Sequence, residues 1–73
     1  SYVMTRVCII IPTLNEERDL PRPLRTVRQL CPEPVEVIVA DGGSTDRTIA
    51  LIKAAQPEMP YLRLLRCPTP GRS

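Results

Sequence analysis

Two short apolar runs, each opening into a polar loop, constrain this chain more than any other feature. The first, Val7 to Ile11, is β-branched at nearly every position and is ended by Pro12. The second, Val35 to Ala40, ends on Asp41, turns through Gly42-Gly43 and reaches the hydroxyls and carboxylate of Ser44-Thr45-Asp46. Runs this continuous, rather than alternating, suit parallel strands covered on both faces. A strand that ends on a carboxylate and hands over to a helix start is also where open α/β sheets gather ligand-binding groups. Two such junctions make a nucleotide-binding half-site the leading expectation.

Helices fit between the runs. Leu20, Leu24, Val27 and Leu30 recur at helical spacing with Arg22, Arg25 and Arg28 opposite. Pro21 and Pro23 are tolerable only in a first turn, so the helix should begin around Asp19 to Pro21. Cys31-Pro32-Glu33-Pro34 should end it, because a residue before proline is biased away from the helical region. After Gly42-Gly43, Ser44 or Thr45 can cap a second helix, with Asp46 well placed in its first turn. Ile49, Ile52 and Ala55 continue that helix toward Pro57, and Tyr61 to Arg66 reads as a third strand. The order β-α-β-α-β gives an α/β, Rossmann-like unit of three parallel strands with right-handed crossovers.

Strand order decides what the sheet leaves open. In the order 3-2-1 both crossovers step the same way, and right-handedness puts both helices on one face. The order 2-1-3 would put them on opposite faces. Strands apolar throughout imply that something covers the second face, either more chain or another copy. The ending at Gly71-Arg72-Ser73, just after the third strand, favours more chain, so residues 1–73 read as the front part of an incomplete domain. Size agrees, since a 73-residue chain buries only roughly 60% of its unfolded surface and is marginal alone.

Composition removes several alternatives. Cys8, Cys31 and Cys67 are too scattered for a zinc site and the chain has no His, while an odd set of thiols fits a reducing cytoplasm. Cys8, inside an apolar run, reads as a buried small hydrophobe. Net charge is only +2, with ten dispersed Lys and Arg, two Tyr and no Phe or Trp. Nucleic-acid binding calls for a denser basic face or stacking aromatics, so no nucleic-acid partner is expected. The longest apolar run is far short of the ~20 residues of a membrane span, and no signal-peptide pattern is present. A cytoplasmic protein is expected, with peripheral attachment at the inner membrane face as a variant.

The candidate site residues follow from the junctions. Asp41 can accept hydrogen bonds from a nucleobase or ribose edge, or serve as a turn residue capping the next helix; position alone leaves both open. Asp46 reads as a helix-start residue rather than a ligand contact. Pro12, Thr13, Asn15 and Glu16 end the first run; Glu16 can reach a ribose or base, while Asn15 suits an Asx turn. Arg72 can meet a diphosphate if the chain turns back over the crevice. Gly42-Gly43 is neither a P-loop nor a dinucleotide fingerprint, since the following Gly-Lys-Ser/Thr and the third glycine are missing.

Together, Ile9-Ile10-Ile11-Pro12-Thr13-Leu14-Asn15-Glu16-Glu17, Glu36 to Thr48 and the Gly71-Arg72 ending resemble the nucleotide-binding front half of the inverting family 2 glycosyltransferases with the GT-A fold. The resemblance implies that Pro12, Thr13 and Glu16 contact the nucleotide, that Asp41 holds the base, and that Arg72 lies near the nucleotide. Many members carry a second acidic residue where this chain has Gly42. The family's metal-binding Asp-x-Asp and its catalytic base come later than these residues. The implied activity is inverting transfer of a sugar from a nucleotide-diphospho-sugar donor to an acceptor hydroxyl, by a longer parent using Mg or Mn. This piece alone should not catalyse it, because departure of the diphosphate and deprotonation of the acceptor need groups it lacks. The competing expectation is a non-catalytic nucleotide-binding or self-associating α/β module.

Overall fold

The computed structural model describes residues 7–67. Strand β1 (Cys8–Thr13), helix α1 (Pro21–Arg28), strand β2 (Glu36–Asp41), helix α2 (Thr48–Ala55), a short 3-10 turn (Gln56–Glu58) and strand β3 (Leu62–Arg66) follow in chain order. The three strands are parallel and ordered β1-β2-β3. Of the two orders left open by the sequence, the structure has 3-2-1. Ile10, Ile38 and Arg63 lie abreast, as do Pro12, Ala40 and Leu65.

One face of this sheet carries the core. Val37 and Val39 of β2 are buried with Leu20 just before α1, Leu24 and Val27 from α1, Ile52 from α2, and Met59 and Leu62, while Ile9, Ile11 and Leu64 pack against them. Both helices thus feed a single cluster on a single face, as right-handed crossovers stepping in one direction require. On the opposite face Ile10 is 68% exposed and Leu65 53% exposed. The only charged pair on that face, among the described residues, is Arg63 with Glu36, 2.6 Å apart and largely solvated, which adds at most about 1 kcal/mol. Apolar residues on this face are a sheet surface without a cover.

Two expectations are corrected at β1. Cys8 is exposed rather than buried, because it points to the uncovered face with Ile10. Pro12 does not stop the strand, which runs on to Thr13. The carbonyls of Val7 and Thr13 accept from the N–H groups of Val35 and Gly42 at 2.9 Å, so odd-numbered residues of β1 face β2. By the alternation of a strand, Pro12 turns its nitrogen to the outer edge, where the missing N–H costs no ladder bond.

Helix α1 begins where the prolines allow. Pro21 occupies its first turn and Leu20 precedes it, and the N–H of Leu20 donates to Glu16 O at 2.8 Å. No N–H is needed at those first positions, so proline is free there. Helix α2 starts later than the sequence suggests, at Thr48. Its first turn is held by Asp46, whose Oδ1 accepts from the Thr48 N–H at 2.9 Å and from the Thr48 hydroxyl. Neither Ser44 nor Thr45 caps it, because both are engaged across the neighbouring loop.

Candidate functional site

Parallel pairing brings the ends of β1 and β2 side by side, with Thr13 directly abreast of Asp41. The Thr13 hydroxyl donates to Asp41 Oδ1 at 2.7 Å. The Ser44 hydroxyl donates to the same oxygen. The other carboxylate oxygen, Oδ2, accepts from the N–H groups of Gly43 at 3.0 Å and Ser44 at 2.8 Å. Asp41 is 1% exposed. A carboxylate offers about four lone-pair directions, and four protein donors fill them. Burial opposes the charge, but the hydroxyl and N–H of Ser44, the Thr13 hydroxyl and the Gly43 N–H outweigh it and lower the pKa to about 2.

The turn below Asp41 explains one glycine and not the other. Gly43 has φ +106°, a region costly for residues with a Cβ. That conformation aims both the Gly43 and the Ser44 N–H at Asp41. Gly42 is not in that region, and a Cβ there would sit 3.6 Å from Thr13 O and 3.9 Å from Leu14 Cδ1, ordinary van der Waals distances. The acidic residue that the family resemblance places here could therefore be accommodated.

The β1–α1 and β2–α2 loops are stitched to each other by reciprocal bonds. Asn15, with φ 51°, takes the left-handed conformation that Asn tolerates better than most residues. Its Oδ1 accepts from the N–H of Thr45 at 2.8 Å and of Asp46 at 3.3 Å. In return, the N–H groups of Asn15, Glu16 and Glu17 donate to Ser44 Oγ (2.9 Å), Thr48 Oγ1 (2.8 Å) and Asp46 Oδ2 (3.2 Å). Burial works against charge on Asp46 too, but donors from Thr48 and Glu17 prevail and lower its pKa. Among the described residues, no buried side-chain polar atom lacks a partner.

Beside the stitched loops lies a cleft of about 370 Å³, walled by Pro12, Thr13, Glu16, Asp19, Leu20 and Arg22 among others. Its volume falls in the range of small-molecule sites. Three of the sequence-predicted residues, Pro12, Thr13 and Glu16, share this wall. Asp41 stands behind it, touching the wall through Thr13. Arg72 lies outside the described residues. Sequence reasoning missed Asn15, Ser44 and Thr48 as bridging residues, reading Asn15 as a local turn former and Ser44 as a cap. The available signal was a pair of polar loops after strands that had to be neighbours.

Among the described residues, no three His, Cys, Asp or Glu gather into a set able to hold a metal ion. Asp41 and Asp46 have their oxygens committed to protein donors. The described residues do not fit the divalent metal that the family resemblance implies. No helix among them is long and apolar enough to cross a membrane.

The model of the glycosyl transferase family 2 matches residues 8–73. An undecaprenyl-phosphate 4-deoxy-4-formamido-L-arabinose transferase of Pseudomonas aeruginosa (strain LESB58) is 39% identical over 57 residues, 74% of this chain and 17% of that protein. The protein TagX of Staphylococcus aureus (strain MRSA252), named as a glycosyltransferase, is 36% identical over 61 residues, 84% of this chain and 17% of TagX. No solved structure matches significantly. The chain thus spans 17% of the length of these relatives. The matched region takes in β1, the stitched loops and β2, and it reaches past β3: this chain belongs to glycosyl transferase family 2.

Proposed function

We propose that residues 1–73 are the front part of a donor-binding domain, ending before the Asp-x-Asp region, in a glycosyltransferase that uses a nucleotide-diphospho-sugar. The observation that carries this reading is the cleft at the end of β1, with Pro12, Thr13 and Glu16 on one wall and a hydrogen-bonded loop pair behind it. Ile11 and Leu20, among the residues that line it, give the cleft an apolar part that suits a flat base. Glu16, half-buried and with its carboxylate unbonded among the described residues, is placed to accept from a ribose or base edge. Arg72 belongs to the same reading as a partner for the diphosphate.

In the proposed reaction the acceptor hydroxyl attacks the anomeric carbon opposite the leaving group. The bond to the diphosphate breaks with its electron pair passing to the phosphate oxygen, and a base takes the acceptor proton, giving inversion. Mg or Mn in the intact protein would draw its ligands from other residues. The residues described here bind and orient the donor. Sugar and acceptor identity lie beyond this cleft. A cytoplasmic place, peripheral at the inner membrane face, completes the proposal, and the undecaprenyl phosphate in the name of the Pseudomonas relative stays with that protein.

The test is calorimetric titration of UDP- and GDP-sugars into the intact protein and into Glu16→Gln. Binding weakened about tenfold by the substitution supports the reading, in line with loss of one hydrogen bond to a charged acceptor. Equal binding by both removes Glu16 from the site. A second reading, a self-associating non-catalytic module, draws on the uncovered apolar face at Ile10 and Leu65. A dimer by sedimentation that binds no nucleotide would favour it.

A further inference from the structure

We infer that Asp41 acts as a positioning residue for the nucleotide cleft, through Thr13 and the Ser44 hydroxyl, and does not itself bind the base. The inference rests on the nucleotide reading above and changes the role that the family resemblance implies for this residue. Its first ground is capacity. Both carboxylate oxygens already accept two protein donors each, from Thr13, Ser44 (hydroxyl and N–H) and Gly43. A base edge could be bound only by evicting one of them. Its second ground is access. Asp41 is 1% exposed and the cleft is walled by Thr13, not by Asp41.

Its third ground is connectivity. Asp41 reaches the end of β1 and the loop that follows at two points: directly at Thr13, and at Asn15 through Ser44, whose Oγ donates to Asp41 and accepts from the Asn15 N–H at 2.9 Å. The segment from Thr13 to Glu16 carries two residues of the cleft wall, Thr13 and Glu16. One buried carboxylate therefore sets where that wall stands. A segment held at two points by a buried acceptor is pre-organised, and small misplacements of such a wall weaken binding without removing any contact to the ligand.

A base-binding residue and a positioning residue differ in what they do to base preference. Affinities of the intact protein for UDP, CDP, GDP and ADP, with Mg present, are measured for the wild type, Asp41→Asn, Ser44→Ala and Ser44→Thr, each well below its own unfolding temperature. Ser44→Ala leaves the carboxylate in place and removes the hydroxyl that joins it to the Asn15 N–H, together with one of the carboxylate's four donors. Expected is a loss of about three- to tenfold, the same factor for every nucleotide bound, in both Asp41→Asn and Ser44→Ala. Recovery in Ser44→Thr, which restores the hydroxyl, is expected as well. Asp41→Asn reordering the base preference while Ser44→Ala binds like wild type would overturn the inference and leave the nucleotide reading standing. Ser44→Ala binding like wild type, with any result for Asp41→Asn, overturns it too. A wild-type protein that binds none of the four overturns the nucleotide reading, and the inference with it.

Discussion

The two strand-to-helix junctions look alike in sequence and differ in the structure. At the end of β2, Asp41 is buried and all its acceptors are spent on Thr13, Gly43 and Ser44. At the end of β1, Glu16 gives its N–H to Thr48 but keeps its carboxylate at the edge of an open cleft. One junction holds and the other presents. An acidic residue after a strand therefore says little by itself; the donors that surround it decide whether it is left for a ligand.

The largest effect should come from removing the holding side. Asp41→Ala strands two hydroxyls and two N–H groups and should lower unfolding free energy by about 3 kcal/mol, measured by urea denaturation. Glu16→Ala, on the presenting side, should change it by less than about 0.5 kcal/mol. Equal losses at the two positions would erase the distinction between the junctions.

A pH titration sharpens it further. The folded pKa of Asp41 lies below the ordinary carboxylate value, at about 2 against 3.8. The bonded carboxylate then contributes stability that is fully present above pH 3.8 and is lost as pH falls toward about 2. The contribution should be about 2 kcal/mol, and Asp41→Asn should remove that part of the acid dependence. A wild type and an Asp41→Asn variant with the same slope below pH 4 would contradict the assignment.

The two glycines below Asp41 give the smallest and most local comparison. Gly43→Ala places a Cβ at φ +106° and should cost about 1 kcal/mol. Gly42→Ala meets Thr13 O and Leu14 Cδ1 at ordinary van der Waals distance and should stabilise by about 0.5 kcal/mol through the unfolded state. Thermal unfolding of both distinguishes them by the sign of the shift.

Much of this arrangement was legible before any coordinates, and the exceptions have physical causes. The β-α-β-α-β order, the helix start at Pro21 and the third strand follow from apolar spacing and proline placement, which are local. Strand order was not legible, because a right-handed crossover serves 3-2-1 and 2-1-3 equally. The exposure of Cys8 and the place of Pro12 inside β1 both depend on which face and which edge remain open, so they required that order. Thr13, Glu16 and Pro12 were recognisable as neighbours because they follow one another after one strand. The saturation of Asp41 was not, since its key donor Thr13 lies 28 positions away and meets it only through the register of two parallel strands. The stitching by Asn15, Ser44 and Thr48 was hidden for the same reason.

The most direct measurement is a carbon-detected NMR titration of the Asp41 side-chain carboxyl in the intact protein, with and without nucleotide. The structure predicts a pKa of about 2, nearly unchanged when nucleotide fills the cleft, because protein donors hold the charge in both states. A value at or above the ordinary 3.8 in the free protein, moving when nucleotide binds, would contradict it and return Asp41 to the ligand.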